Sequence, residues 1–539
     1  MNIYENNKEL LTAMGGLTDN LSTDFEVRKA ILNILGGDAT NCNSIYEVDL
    51  QILKIYTEGG GGTGGGTGSG SKSKVNTFTI TGSCLDENGF WDGNGLDISL
   101  ITKLNSTFRN ANPQSLDLSS WNTGNVTTMQ NAFSYCYALQ DIGDISGWNT
   151  GNVTTMKSMF DNCSALQTLD LSNWNLGSVT DLSNMFSYCS ALQDIGDISG
   201  WNTGNVTTMK SMFNKCKLLQ TLDLSNWNTG NVTDMDIMFN YCSGLEHLNI
   251  SSWNTGNVTT VNNMFNSCEK LQNLDLSSWN TGNVTTMNSM FIYCYELQSV
   301  GDISNWNTGN VTNMYGMFYF CYALQNIGDI SGWNTGNVTT TSSMFRSCKS
   351  IENLDLNNWD THNITTMYGM FDSCSSLQSL DVSNWDLGSV TDLSNMFSFC
   401  SSLQYLDLSS WKNTGSVTDM SGLFYNCTNL QTLDLRGLDV SSVKLFNNTF
   451  VNANKLNTLV GEKNIDEVIS NNISVLNGLK KSLILVSTKL DRASLRALIN
   501  GLTDLTGSSS QALSLSLDLK EKLTEEDIAI ATAKNWTIS

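Results

Sequence analysis

Residues 148–173 read WNTGNVTTMKSMFDNCSALQTLDLSN, and close variants of this stretch follow one another through most of the chain. The tryptophan recurs every 26 or 27 residues, at Trp121, Trp148, Trp174, Trp201, Trp227, Trp253, Trp279, Trp306, Trp333, Trp359, Trp385 and Trp411. The cysteine recurs at the same spacing, at Cys136, Cys163, Cys189, Cys216, Cys242, Cys268, Cys294, Cys321, Cys348, Cys374, Cys400 and Cys427. A fixed period of this length is typical of proteins built from stacked copies of one short unit.

One copy has too few apolar side chains to close a core alone, whereas stacked copies can bury them against the same residues above and below. Phenylalanine marks fourteen copies, from Phe108 to Phe450. The first and last of these carry Ala111 and Ala453 where the inner copies have cysteine, as expected of end units with one neighbour. We therefore predict a β-rich repeat solenoid of about fourteen coils, a coil being one copy of 26–27 residues.

We place the repeats at 101–455. The segments outside them differ from the repeats in composition. Residues 1–58 predict a small α-helical module, because apolar runs precede glycine pairs suited to helix ends. Its anchor candidates are Leu10, Leu11, Ile31, Leu35, Ile52 and Ile55. Residues 59–74, GGGGTGGGTGSGSKSK, predict a flexible linker. We expect an N-terminal cap at 75–100 and an α+β C-terminal cap at 456–539, with helices opening at Asp491 and Thr524 and a strand from Ala512.

The amino-acid composition limits the classes of binding partner that we expect. The 539 residues include 28 Lys and Arg against 51 Asp and Glu, a net charge of −23, so we expect no nucleic-acid partner. No apolar run approaches the length of a membrane span, and we expect no membrane insertion. The first residues lack the pattern of a secretory signal, so we expect a chain that is not exported by that route. Short helices need a partner, which predicts a homo-oligomer or a docking contact for 1–58.

Three residue types recur at a fixed position of the copies, and each could have either a chemical or a structural role. For the cysteines we favour small buried side chains over disulfides or metal ligands, because no C-x-x-C pair occurs. For the tryptophans we favour core packing over a sugar-binding platform. The glycine in each WNTGNV segment, replaced once by His362, is expected to supply a positive φ.

An aspartate column should line the outer face of the strand segment, where it either solubilises the sheet or holds Ca²⁺. Its members are Asp117, Asp144, Asp170, Asp197, Asp223, Asp275, Asp302, Asp329, Asp355, Asp381, Asp407 and Asp434, with Asn249 as the exception. The sequence identifies no other cofactor and no catalytic residue. With only two histidines and no special nucleophile–base pair, we expect no enzyme activity.

The residues on either side of each cysteine vary between copies, and many are aromatic. Exposed rings of this kind suit stacking on sugars or a protein contact, and packing between neighbouring coils is the alternative. The candidate ligand face consists of Tyr135, Tyr137, Tyr188, Tyr241, Tyr293, Tyr295, Phe320, Tyr322 and Phe399.

The segment LQTLDLSNW at 166–174 fits the leucine-rich-repeat consensus. The fuller pattern W-N-T-G-N-V-T-x-M-x-x-M-F-x-x-C-x-x-L resembles the BspA-like leucine-rich repeats of bacterial surface lipoproteins. That resemblance implies a solenoid of leucine-rich-repeat type, surface display and adhesion. The helical start and the ending KLTEEDIAIATAKNWTIS resemble chains of gut tailed phages, including crass-like ones. This second resemblance implies a virion fibre or decoration protein that docks by its N-terminus.

These observations together predict a non-enzymatic head or tail fibre or decoration protein, made in the host cytoplasm and displayed on the virion surface. Residues 1–58 would dock to capsid or tail proteins, and the solenoid would bind a host-surface glycan or protein. A bacterial cell-surface adhesin is one alternative, and a structural spacer without a ligand is another. A polysaccharide depolymerase would require paired carboxylates in a cleft, which a uniform ladder does not supply.

Overall fold

The computed structural model describes residues 98–99, 101–461 and 463–539. They belong to two compact units. One contains the described residues up to Asp234 and Met238–Leu245, and the other contains Met235–Ile237 and Glu246–Ser539. The module predicted at 1–58 with its anchor residues, the linker at 59–74, and the cap at 75–100 apart from residues 98–99 lie outside the described residues.

Parallel backbone pairing at the repeat spacing builds the first unit. One row of pairs runs through Lys103, Thr128, Thr155, Asp181, Thr208 and Asp234, each joined to the next. A second row pairs Ser115 with Asp141 and Thr168 with Asp194, and strand β1 (Thr221–Asp223) lies in the same segment of its coil. Side chains alternate along a strand, so Leu222 is buried while the residues on either side of it are exposed.

The second unit repeats this arrangement. Its first row of parallel pairs runs through Thr260, Thr286, Asn313, Thr340, Thr366, Asp392, Asp419 and Leu445. Its strands are β2 (His247–Asn249), β3 (Asn353–Asp355), β4 (Ser379–Asp381), β5 (Tyr405–Asp407) and β6 (Thr432–Asp434). β3 pairs with β4 and β5 with β6 in parallel, so that Leu354 faces Leu380 and Leu406 faces Leu433. Each unit is thus a solenoid of stacked repeats.

Between the two rows, each coil runs through consecutive tight turns. The N–H of Ala132 donates to the carbonyl of Met129 in its own coil (3.2 Å), whereas the N–H of Asn131 donates to Lys157 in the next coil (2.9 Å). The turns require left-handed backbone two residues before and two residues after the phenylalanine. Asn131 and Tyr135 accordingly have φ values of 57° and 64°.

The core consists of ladders of identical side chains. The rings of Phe133 and Phe160 stack with centroids 5.2 Å apart and planes 6° apart. Trp121 and Trp148 stack at 6.1 Å and 9°. Because a buried indole N–H needs an acceptor, Trp148 Nε1 donates to the carbonyl of Leu118 in the preceding coil (3.1 Å). Stacking therefore supplies both the apolar contacts and the polar partner.

The C-terminal segment adds helices to parallel strands. The helices are α1 (Ile465–Ser470), α2 (Arg492–Gly501), α3 (Leu517–Lys520) and α4 (Glu525–Ala533), and the strands β7 (Leu483–Ile484), β8 (Gln511–Ser514) and β9 (Trp536–Ile538) form a sheet in that order. Asp491 caps α2, and Thr524 with Asp527 forms a capping box on α4, so both helix starts expected from the sequence are present. Arg496 ties the two helices together through a 2.8 Å contact with buried Asp527.

The expectation for the WNTGNV glycines was wrong. Neither Gly124 nor His362 has a positive φ; instead the Gly124 N–H donates to Asn122 Oδ1 at 3.1 Å in a local side-chain turn. Positive φ occurs at the extra glycine of the 27-residue copies, for example 72° at Gly143. A Cβ there would lie 2.9 Å from Asp117 Oδ1, so this position excludes other side chains.

Within the described part of the chain, no helix is both long and apolar enough to cross a membrane.

Candidate binding surface

The row of residues that precedes each cysteine, together with the residue that follows it, forms a surface that we call the cysteine ridge. Every ridge residue before a cysteine is left-handed, with φ between 57° and 64°. Asparagine accepts this conformation readily and occupies it at Asn162 and Asn426, whereas larger side chains lose about 1–2 kcal/mol there. Aromatic residues nevertheless occupy this position at Tyr135, Tyr188, Tyr241, Tyr293, Phe320 and Phe399.

The candidate residues of the ridge are all at least partly accessible. Tyr137 is 51% exposed, Phe399 46%, and Tyr188 and Tyr241 41% each. The half-buried members are Tyr135, Tyr293, Tyr295, Phe320 and Tyr322. The structure therefore places the sequence-predicted ligand face on the surface, and it divides that face between the two units.

In the first unit, a lysine lies between two of the rings. Lys215 Nζ is 4.1 Å from the ring centroid of Tyr188 in the coil before and 5.6 Å from that of Tyr241 in the coil after. It also donates to the Tyr188 hydroxyl at 3.0 Å. Tyr135 and Tyr137 meet edge to face at 6.0 Å. The lysine thus occupies the space between Tyr188 and Tyr241 that a stacked ligand would need.

In the second unit, the rings form a continuous array over consecutive coils. Tyr293 stacks on Phe320 at 5.2 Å and Tyr295 on Tyr322 at 5.3 Å. Tyr319 lies beside Phe320 with centroids 4.1 Å apart. The packing alternative considered from the sequence therefore applies to these rings, because each covers one face of its partner in the neighbouring coil.

Two cationic side chains, Lys349 and Arg346, lie at the C-terminal end of this array of rings. Lys349 Nζ lies 4.1 Å from the ring centroid of Tyr322. Arg346 lies over Tyr319 and pairs with Asp372 at 2.9 Å. Burial raises the pKa of Asp372, and the charge of Arg346 partly offsets this shift. Burial likewise raises the pKa of Tyr319, so its hydroxyl stays protonated at neutral pH.

The aspartate column lies on the exposed side of the strand segment, except that Asp407 is half-buried and Asp434 is only 1% exposed. Asp434 departs from the expectation because Arg436 folds back on it, with Nη2 to Oδ2 at 2.7 Å. The exposed members cap local turns. Asp144 Oδ1, for example, accepts from the Ser146 N–H at 3.0 Å, and the hydrogen bonds from Ser146 hold the pKa of Asp144 below its usual value.

Among the described residues, no three His, Cys, Asp or Glu side chains lie close enough together to hold a metal ion, so the structure contains no cluster of the kind that the Ca²⁺ hypothesis requires. The exposed aspartate carboxylates instead accept hydrogen bonds within their own turns.

The cysteine and tryptophan columns lie in the core. All twelve repeat cysteines are buried and unbridged, including Cys136, Cys163, Cys189 and Cys216 of the predicted ladder. Trp148, Trp174, Trp201 and Trp227 are buried in the same way. Burial raises the pKa of Cys136 to about 12 and keeps its thiol neutral.

Sequence reasoning missed a set of polar contacts between coils. Asn152 Nδ2 donates to the carbonyl of Gly124 at 2.8 Å, and Thr154 Oγ1 donates to that of Thr127 at 3.0 Å. Both acceptors lie one coil earlier, so the Asn-Val-Thr segment joins neighbouring coils. The signal was present in the sequence, because a polar residue kept in register through most copies implies a partner in the adjacent copy.

A family model described as "Mycoplasma protein of unknown function, DUF285" matches residues 91–197, 193–300, 268–381 and 366–482. These overlapping stretches cover well over half of the sequence. The chain belongs to the DUF285 family. This membership supports the repeat type expected from the sequence at the coarser level of a leucine-rich-repeat protein. No curated protein matches the chain in sequence.

The solved structures to which this chain is similar include leucine-rich-repeat chains. A leucine-rich repeat protein from Eubacterium ventriosum is 14% identical, with 65% of this chain and 84% of that chain covered and a TM-score of 0.29. The functional domain of InlJ from Listeria monocytogenes, which includes a cysteine ladder, is 16% identical over 75% and 74%, with a TM-score of 0.22. The TLR13–ssRNA13 complex is 16% identical over 77% and 73%, with a TM-score of 0.18. Similarity at this level transfers no property of those proteins to this chain.

Proposed function

We propose that this DUF285 protein is a non-enzymatic display protein whose repeats bind a ligand on a cell surface. The observation that carries the proposal is the aromatic occupancy of the left-handed position on the cysteine ridge. Asparagine, which other copies use, would relieve backbone strain at Tyr135, Tyr188 or Phe399. A side chain retained against such a cost points to a contact that the side chain itself makes.

Two settings fit such a protein equally well. In the first, it is a virion fibre or decoration protein: residues 1–58 dock to capsid or tail proteins, the linker at 59–74 gives reach, and about fourteen coils with an α+β cap at 456–539 meet the host. In the second, it is a bacterial cell-surface adhesin of the BspA-like type. In either, many copies on one particle or cell would multiply weak contacts.

A structural spacer without a ligand is the competing function. It is favoured by the ring stacking of Tyr293 on Phe320 and of Tyr295 on Tyr322, because these contacts join coils. On that account, aromatic residues add packing that outweighs the strain of the left-handed backbone.

Substitution by asparagine separates binding from packing. We would replace Tyr135, Tyr188, Tyr241 and Phe399 together by asparagine, and measure binding to host cells and the midpoint of thermal unfolding. The binding function predicts lost attachment with an equal or higher midpoint. Retained attachment, or a midpoint several degrees lower, would favour the spacer.

The setting is tested by removal of residues 1–58. A virion protein should then leave the particle while the repeats remain folded, as judged by tryptophan fluorescence. Retention of the shortened chain on particles would contradict the docking role of this segment.

A further inference from the structure

One region of the cysteine ridge combines aromatic rings with a lysine that forms no ion pair with any described residue. It consists of Tyr293, Tyr295, Phe320, Tyr322 and Lys349, and we call it the tyrosine–lysine patch. All five residues belong to the second unit. They lie on three successive coils, since they flank Cys294, Cys321 and Cys348 in turn.

Stacking covers one face of each ring in the patch, and both faces of Tyr322. The stacking planes are 16° apart for Tyr293 and Phe320 and 17° apart for Tyr295 and Tyr322, so each pair covers its inner faces. Lys349 covers the outer face of Tyr322. The edge of an aromatic ring is the positive end of its quadrupole. A ligand that reaches Tyr322 therefore meets the positive edge of its ring and its hydroxyl group.

Hydroxyl donors are available at this edge. The Tyr293 and Tyr322 hydroxyls have no hydrogen-bond partner within the described part of the chain, and both side chains are half-buried. A phenol O–H donates a strong hydrogen bond to a negatively charged oxygen.

The charge of Lys349 points the same way. Its ammonium contacts the Tyr322 ring but forms no ion pair with a described carboxylate, whereas Arg346 beside it is committed to Asp372. Two acidic residues lie at the Tyr295 end: Glu296 follows Tyr295 in the sequence, and its N–H donates to the carbonyl of the ridge residue Glu269 at 3.2 Å. We therefore place the anion at the Lys349 end.

We propose that the tyrosine–lysine patch binds an acidic polysaccharide, a sugar chain that carries carboxylate or sulfate groups. The Lys349 ammonium and the Tyr322 hydroxyl hold the anionic group, and the Tyr293 hydroxyl bonds a neighbouring sugar. A chain ligand fits better than a single ion because the Tyr293 and Tyr322 hydroxyls lie on consecutive coils, which are about 4.8 Å apart. This inference rests on the proposed display function and names the ligand class for it.

The test uses the full-length protein and three polymers: polygalacturonate, dextran sulfate and neutral dextran. Binding is measured for the natural sequence, for Lys349→Gln and for Tyr322→Phe, which keeps the ring stack but removes the hydroxyl. Lys412→Gln is the matched control, since Lys412 is exposed in the same unit but away from the patch. Thermal unfolding midpoints should agree among all four proteins.

We expect binding to one or both acidic polymers, weakened about tenfold by Lys349→Gln and severalfold by Tyr322→Phe, and unchanged in the control. A preference for polygalacturonate would identify carboxylate as the anion, and a preference for dextran sulfate would identify sulfate. Equal weakening by Lys349→Gln and Lys412→Gln would overturn the site.

Other results distinguish this inference from the function on which it rests. Equal binding to neutral dextran would overturn the acidic ligand but keep a display role. Attachment to host cells that protease treatment of the cells abolishes, without binding to any of the polymers, would indicate a protein ligand and would also overturn it. Absence of binding to both cells and polymers would remove the display function and this inference together.

Discussion

The thiol of Cys163 donates a hydrogen bond to the carbonyl oxygen of Phe133, one coil earlier, at 3.1 Å. The same carbonyl accepts the N–H of Cys136 in its own coil at 3.2 Å. Each cysteine thus bonds the turn of the preceding copy while its sulfur fills a small space in the core. A cysteine suits this position because it is small, apolar and still able to donate.

Replacement of Cys163 by alanine should therefore lower the free energy of unfolding by about 1–2 kcal/mol, since it leaves a small cavity and removes the contact with Phe133. Urea unfolding followed by tryptophan fluorescence measures the change. Ser164→Ala is the control, because among the described residues the Ser164 hydroxyl makes only a long bond of 3.4 Å at the surface, and its loss should cost less than about 0.5 kcal/mol. Equal losses for the two variants would argue against the role of the thiol.

Asp161 should destabilise the protein at neutral pH. Burial is the main cause that raises its pKa from 3.8 to about 6. A folded-state pKa above the unfolded one gives stability below pH 3.8 that is lost as the pH rises through about 6. Asp161→Asn should accordingly raise the thermal midpoint at pH 7 and have little effect at pH 3.5.

Asp144 provides the opposite case for that measurement. Its pKa is lowered by Ser146, so its contribution is present above pH 3.8 and is lost as the pH falls through the folded-state value. Asp144→Ala should lower the midpoint at pH 7. If both variants shifted the midpoint in the same direction at pH 7, the assigned environments would be wrong.

The left-handed backbone conformation of Phe399 costs free energy that asparagine at the same position would avoid. Its φ is 58°, and its ring is 46% exposed with one edge-to-face contact, to Tyr425 at 5.3 Å. Phe399→Asn should leave stability unchanged or raise it by up to about 1 kcal/mol. The reverse change at the equivalent position, Asn162→Phe, should reduce stability, and thermal unfolding of both variants compares them directly.

Two glycines four residues apart should respond differently to alanine. Gly143 has a φ of 72°, and a Cβ on it would lie 3.3 Å from the Asp117 backbone, whereas a Cβ on Gly147 would meet nothing within 4 Å. Gly143→Ala should cost at least about 1–2 kcal/mol, and Gly147→Ala should be neutral or slightly stabilising. A similar loss in both, measured by urea unfolding, would contradict this account of the 27-residue copies.

Much of the fold was predictable because the same residue types recur at the same position of successive copies. Periodic Trp, Cys and Phe residues predicted stacked coils, and Asp491 and Thr524 marked the helix starts that the structure contains. The aromatic ridge was predicted from variation among copies. Whether its rings offer faces or edges was not predictable, because that depends on the spacing between coils and not on residue type.

The sequence by itself determined the period, the repeated core and the exposed side of the strand segment, since all three follow from which residues recur and how side chains alternate. Only the tertiary structure decided the left-handed turns beside each cysteine, the burial of Asp434 against Arg436, and the place of Lys349 at the end of a stacked pair of tyrosines. The pairing of Arg436 with Asp434 joins residues two positions apart and depends on how the Arg436 side chain folds back. The place of Lys349 depends on its distance from Tyr322, 27 positions earlier, and that distance is set when one coil packs on the next.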